Sequence, residues 1–114
     1  MPLLKIQTNA KMSSELQQAT VKALSETVAT MLGKPERYVM VSLEQNSNML
    51  FAGTDQVLAY LELKSIGLAE DKTTEYSLTL CQMVSQQLDV AKDRIYIEFN
   101  NAQRHLWGWN EATF

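Results

Sequence analysis

Apolar and polar positions alternate along the chain with two different periods, and the changes of period divide it into elements. Leu3-Leu4-Lys5-Ile6 carries strand-forming side chains with one lysine, which predicts a first strand. Apolar residues then fall at Leu16, Ala19, Ala23, Leu24, Val28, Met31 and Leu32, a 3.6-residue stripe that predicts a helix. Ser14 followed by Gln17 has the spacing of a capping box at its start, and Gly33 with Pro35 supplies the stop. Arg37 to Leu43 predicts a second strand, Gln45-Asn46-Ser47-Asn48 a polar turn, and Met49 to Gly53 a short apolar segment.

The pattern then restarts. Val57 to Leu63 predicts a third strand, and Glu70-Asp71 suits the positive first turn of a second helix. The stripe of that helix is Tyr76, Leu80, Met83, Val84 and Leu88, with Cys81 beside it. Asp93 to Phe99 predicts a fourth strand, and Leu106-Trp107-Gly108-Trp109 a last apolar segment. Laying the chain over itself so that Leu4 falls on Leu61 also puts Ile6 on Leu63, Thr8 on Ser65, Arg37 on Arg94 and Leu50 on Trp107. The expectation is one domain over residues 1–114 built from an internal repeat, about 1–57 and 58–114.

Strands alternating with helices in two βαβ units predict an α/β (α+β) layered domain, a four-stranded sheet with two helices on one face. In the fourth strand Ile95, Ile97 and Phe99 share one face, while Tyr96, Glu98 and Asn100 share the other. The third strand is apolar at nearly every position from Val57 to Leu61, which predicts cover on both faces. With helices on one side only, the second cover would be another copy of the chain in a closed homo-oligomer.

Composition narrows the class of partner. The 114 residues fit one domain with a substantial core. A net charge of −3 lacks the basic footprint that nucleic acid requires. Cys81 is the only cysteine, so no intrachain disulfide forms, and with His105 the only histidine no metal site is expected. No apolar run approaches the ~20 residues of a membrane span and no charged-then-apolar leader opens the chain, so no membrane partner and a cytoplasmic location are expected. Export by an unconventional route would leave no mark in the sequence.

Candidate chemistry begins at Met1-Pro2. Removing the initiator methionine, which a small second residue permits, leaves a secondary amine held at the start of a strand. Desolvation of that amine disfavours its charged form and makes it a base. A retained Met1 would acylate the same nitrogen, and on these residues alone a proline that merely opens a strand is the simpler reading.

The Pro2 start, the helix ending Leu32-Gly33-Lys34-Pro35, Ser65-Ile66-Gly67, Asp93-Arg94-Ile95-Tyr96-Ile97 and Gly108-Trp109-Asn110 together resemble the macrophage migration inhibitory factor family over the whole chain. The resemblance implies the tautomerase superfamily: homotrimers of duplicated βαβ subunits, acting without a cofactor on phenylpyruvate-like 2-keto acids and dopachrome analogues. It makes Pro2 the catalytic base, Lys34 the partner of the substrate carboxylate, and Ile66, beside Ser65, a backbone donor. It makes Tyr96 a residue contributed by a neighbouring subunit, and Tyr38, Trp109 and Phe114 aromatic pocket walls.

That chemistry needs those types. Moving a proton from carbon to oxygen requires a base with a pKa near ambient pH. Burial and a neighbouring Lys34 both push an amine that way, and the lysine also neutralises a carboxylate once water is excluded. Simpler readings stand beside each role. Lys34 in a helix's last turn is favoured by the dipole alone, and Tyr38, Tyr96, Trp107 and Trp109 fit ordinary strand, core or subunit contacts.

Glu98 departs from the resemblance: a carboxylate near the pocket would raise the amine's pKa and repel an acid unless it pairs with Lys34 or faces water. Trp107 replaces a smaller residue and would narrow the pocket mouth. Leu58 and Leu61 stand where the vertebrate cytokine has a Cys-x-x-Cys pair, which excludes thiol oxidoreductase activity. Two function classes therefore follow, a tautomerase or a non-catalytic cytokine-like binding module that meets a protein receptor if exported. Hydration, dehalogenation or decarboxylation by the same proline calls for additional pocket arginines, which the matching positions do not supply.

Overall fold

A computed structural model describes residues 1–114. The chain runs β1 (Leu3–Thr8), α1 (Ser14–Leu32), β2 (Met40–Gln45), β3 (Ala59–Ile66), α2 (Thr73–Leu88) and β4 (Ile95–Ala102), followed by the short strands β5 (Gly108–Trp109) and β6 (Ala112–Thr113). The sheet order is β2-β1-β3-β4, with β1 and β2 parallel, β3 and β4 parallel, and β1 antiparallel to β3. Two helices on one face of a mixed four-stranded sheet make this an α+β fold.

Burial follows the strand period. Leu4, Ile6 and Thr8 of β1 and Leu61, Leu63 and Ser65 of β3 point inward and are buried. They meet Leu24 and Val28 of α1 and Tyr76, Leu80, Val84 and Leu88 of α2 in one core. A buried leucine at such a position contributes about 2–5 kcal/mol, judged by its loss on truncation to alanine.

Local chemistry sets the boundaries. The cap of α1 is Ser13, not Ser14: the Ser13 Oγ accepts from the Leu16 N–H at 3.1 Å, and Gln17 instead reaches the Met12 carbonyl. On the same helix Ala19 is exposed and Thr20 buried, which moves the stripe by one position. Single 3-10 turns at Glu36–Tyr38 and Lys92–Arg94 delay β2 and β4 to Met40 and Ile95, and a third at Glu70–Lys72 takes the acidic pair out of α2.

The expectation of a third strand apolar on both faces does not hold. β3 starts at Ala59, and its outer face carries Tyr60, Glu62, Lys64 and Ile66. Glu62 there pairs with Lys64 at 3.6 Å and with Lys5 at 3.9 Å, so this face is polar. No helix is long and apolar enough to cross a membrane.

Candidate functional site

Pro2 is buried at the head of β1, and its carbonyl accepts the Met40 N–H at 3.0 Å, which holds the start of the chain in the sheet. Its nitrogen here carries Met1 as an amide. Two depressions adjoin this point. The larger, about 410 Å³, is lined by Met1, Pro2, Arg37, Tyr38, Trp107 and Trp109 among others. The smaller, about 210 Å³, is lined by Met1, Lys34, Pro35, Tyr38, Ile66, Arg104 and Phe114. Met1, Tyr38 and Phe114 wall both.

The end of α1 delivers Lys34. Gly33 adopts φ 63°, a left-handed conformation in which glycine meets no Cβ penalty. Its N–H and that of Lys34 then close the helix on the Thr30 and Ala29 carbonyls at 3.3 and 3.0 Å. Lys34 thus lies past the helix, not in its last turn, and leads into Pro35 and the turn that carries Tyr38.

The aromatic wall is built by a tight turn. Asn110 and Glu111 have φ 53° and 64°, the two positive values of a hairpin turn joining β5 to β6. This folds Phe114 back so that its ring stacks on Trp109 at 5.5 Å, while Tyr38 meets Trp109 edge-on at 6.0 Å.

The electrostatics are one-sided. The amine of Met1 is held below its ordinary value of 8.0, first by desolvation, then by the charges of Lys34 and Arg104. No aspartate or glutamate lines either depression. Arg37 and Arg104 line the two depressions although the sequence marks neither as a pocket residue. Arg37 had one signal, its match to Arg94 in the repeat; Arg104 had none, because its proximity to Met1 is a product of the tertiary fold.

The remaining expected residues lie elsewhere in the protomer. Ser65 is buried under a third depression between the end of α1 and the start of α2, which Lys34 also borders. Tyr96 is 66% exposed and packs on Phe51 at 4.6 Å beside a separate cavity. Glu98 faces water on the outer sheet face, where it accepts a 2.7 Å hydrogen bond from the Tyr60 hydroxyl and makes no pair with Lys34. No group of three or more His, Cys, Asp or Glu side chains is placed to hold a metal ion.

The family model described as macrophage migration inhibitory factor matches residues 1–114. The chain is 34% identical to the macrophage migration inhibitory factor homolog of Brugia malayi, covering 100% of this chain and 99% of that one. It is 31% identical to the macrophage migration inhibitory factor of Mus musculus, with the same coverage. The crystal structure of the homologue from Prochlorococcus marinus superposes with a TM-score of 0.91 at 40% identity, covering 98% of each chain.

Proposed function

The chain belongs to the macrophage migration inhibitory factor family, of the tautomerase superfamily, and from that premise we propose a cofactor-free keto–enol tautomerase with Pro2 as general base on phenylpyruvate-like 2-keto acids. The observation that carries this reading is the placement of Pro2, held in the sheet between an aromatic wall and a cationic pole. Once Met1 is removed, the free secondary amine lies one residue inward of the Met1 amine, whose pKa desolvation, Lys34 and Arg104 lower in this chain. Burial of Pro2 acts on it in the same direction.

The steps balance with one base. The neutral amine takes a proton from C3 of the keto acid, and the released electron pair forms the C2=C3 double bond. The carbonyl oxygen becomes the enol oxygen and receives that proton back from the ammonium. Lys34 neutralises the adjacent carboxylate, the Ile66 backbone donates to the substrate, and Tyr38, Trp109 and Phe114 flank its aryl group. The proposed assembly is a homotrimer acting in the cytoplasm, with Tyr96 supplied to the pocket by a neighbouring subunit; Ser65 supports the Ile66 turn.

Purified protein whose intact mass shows loss of one methionine tests the reading. It should tautomerise phenylpyruvate, and Pro2→Gly should lose about 100-fold or more in kcat/KM. An inert Met-free protein would refute it.

The second reading, a cytokine-like protein-binding module, is favoured by the exposed apolar side chains Leu50, Leu78 and Leu106, which line neither depression at the chain start. It predicts that Pro2→Gly leaves the cellular phenotype intact while substitutions at these surface positions abolish it.

A further inference from the structure

The two halves of the chain treat one arginine differently. In the second half Arg94 spends its guanidinium on the first half's hairpin. Its Nε donates to the Val57 carbonyl at 3.1 Å, Nη1 to Phe51 at 3.1 Å, and Nη2 to Thr54 at 3.2 Å and Gln56 at 2.9 Å. That hairpin turns at Ala52 and Gly53, both at positive φ, just as the second hairpin turns at Asn110 and Glu111. Arg37 matches Arg94 in the repeat and lies beside that second hairpin, lining the larger depression with Gly108, Trp109 and Phe114. Yet Arg37 makes no side-chain hydrogen bond or ion pair: both ion pairs of the protein lie on the outer sheet face. Its guanidinium rests over the Tyr38 ring, 4.7 Å from the centroid, which occupies its face and leaves its N–H edge free.

Arg104 and Lys34 are likewise without ion-pair partners, and they border the smaller depression. The site therefore has a cationic group on each side of the wall formed by Met1, Tyr38 and Phe114, and no acidic residue lines either side. In a chain of net charge −3, three unpaired cations around one pair of depressions are a local excess that a single carboxylate neutralises only in part.

Building on the tautomerase reading, we propose that the preferred substrate is a 2-oxo acid with a second carboxylate at its far end. Lys34 and Arg104 receive the carboxylate next to the carbonyl, and Arg37, braced on Tyr38, receives the distal one. Met1 is one of the three residues, with Tyr38 and Phe114, that wall both depressions, and its loss opens the part of that wall it supplies between the two cationic ends. Arg37 is a specificity residue in this scheme: the flat fork of a guanidinium matches a carboxylate edge to edge, which a lysine at the same place does not reproduce.

The test compares two substrates that differ only in the distal group, phenylpyruvate and 4-carboxyphenylpyruvate, with the Met-free protein. The expected kcat/KM ratio favours the dicarboxylate by about tenfold or more at low salt and shrinks as salt rises. Arg37→Gln should bring the ratio close to one, and Arg37→Lys should restore only part of it. A wild-type ratio at or below one overturns the proposal, as does a ratio that Arg37→Gln does not move. Should that variant fail to fold, the wild-type ratio and its salt dependence decide. Turnover of phenylpyruvate in the same preparation reports on the tautomerase reading separately. If neither acid is turned over, that reading fails, and calorimetric binding of the two acids decides this one: tighter binding of the dicarboxylate supports it and equal binding overturns it.

Discussion

The Tyr60 hydroxyl donates a 2.7 Å hydrogen bond to Glu98 Oε2 across the outer face of β3 and β4. The two residues are diagonal neighbours, since Tyr60 pairs with Tyr96 and Glu62 with Glu98 in the strand register. Glu98 is thereby engaged away from Pro2, which removes the electrostatic objection that a carboxylate in the pocket would raise in the protomer.

The same bond makes a pH prediction. Donation to Glu98 stabilises the protonated phenol and pushes the Tyr60 pKa from 10.0 up to about 12, with desolvation and the charges of Glu62 and Glu98 adding to it. A folded value above the unfolded one gives stability that is present below pH 10 and lost as pH rises through about 12. Ultraviolet titration should find one tyrosine ionising late, and Glu98→Gln should bring it down. An unchanged titration in that variant would contradict the assignment.

Ser13, not Ser14, caps α1, so their alanine variants should differ. Ser13→Ala should cost about 1 kcal/mol in urea denaturation, because the Leu16 N–H loses its acceptor. Ser14→Ala lies inside the first turn and should change stability by less than about 0.5 kcal/mol. Equal effects would mean that the cap is misassigned.

Arg94 ties the hairpin around Ala52 and Gly53 to the start of β4 through four carbonyls. Arg94→Ala should destabilise the fold by about 2–4 kcal/mol and speed amide exchange in that hairpin. Arg94→Lys should recover less than half, since an ammonium cannot span the same acceptors. A loss below about 0.5 kcal/mol would show the clamp to be idle.

The legible parts of the fold were those written in local period. The stripe of α2 is buried at Tyr76, Leu80, Val84 and Leu88 as the pattern requires, and the inner face of β4 holds Ile95, Ile97 and Phe99 against the core. Strand starts were less legible. The 3-10 turns at Glu36–Tyr38 and Lys92–Arg94 run directly into strand-forming residues, so the pattern of side chains does not mark where turn ends and strand begins. Val57 is held outside β3 by the bond from Arg94. Val57 therefore lent the third strand an apolar look that its outer face does not have. The turn at Asn110-Glu111 lacks the glycine that usually marks two positive φ values, so the hairpin carrying Phe114 left no signal.

At the site, Pro2, Lys34, Ile66, Tyr38, Trp109 and Phe114 come together around Met1, whereas Tyr96, Glu98 and Ser65 do not. Arg37 and Arg104 escaped sequence reading for a plain reason. Each is an exposed cation in a polar turn, and only the packing of the C-terminal segment against the chain start gives either one a role.

The central claim is that the Pro2 nitrogen, once freed of Met1, is a base whose pKa is lowered by burial and by Lys34 and Arg104. Titration of that nitrogen by nitrogen-15 NMR in proline-labelled, Met-free protein reads it directly. The account predicts an inflection below the ordinary amino-terminal value of 8.0, moving upward in Lys34→Gln as one neighbouring cation is lost. An inflection at or above 8.0, or one that Lys34→Gln leaves in place, would contradict it.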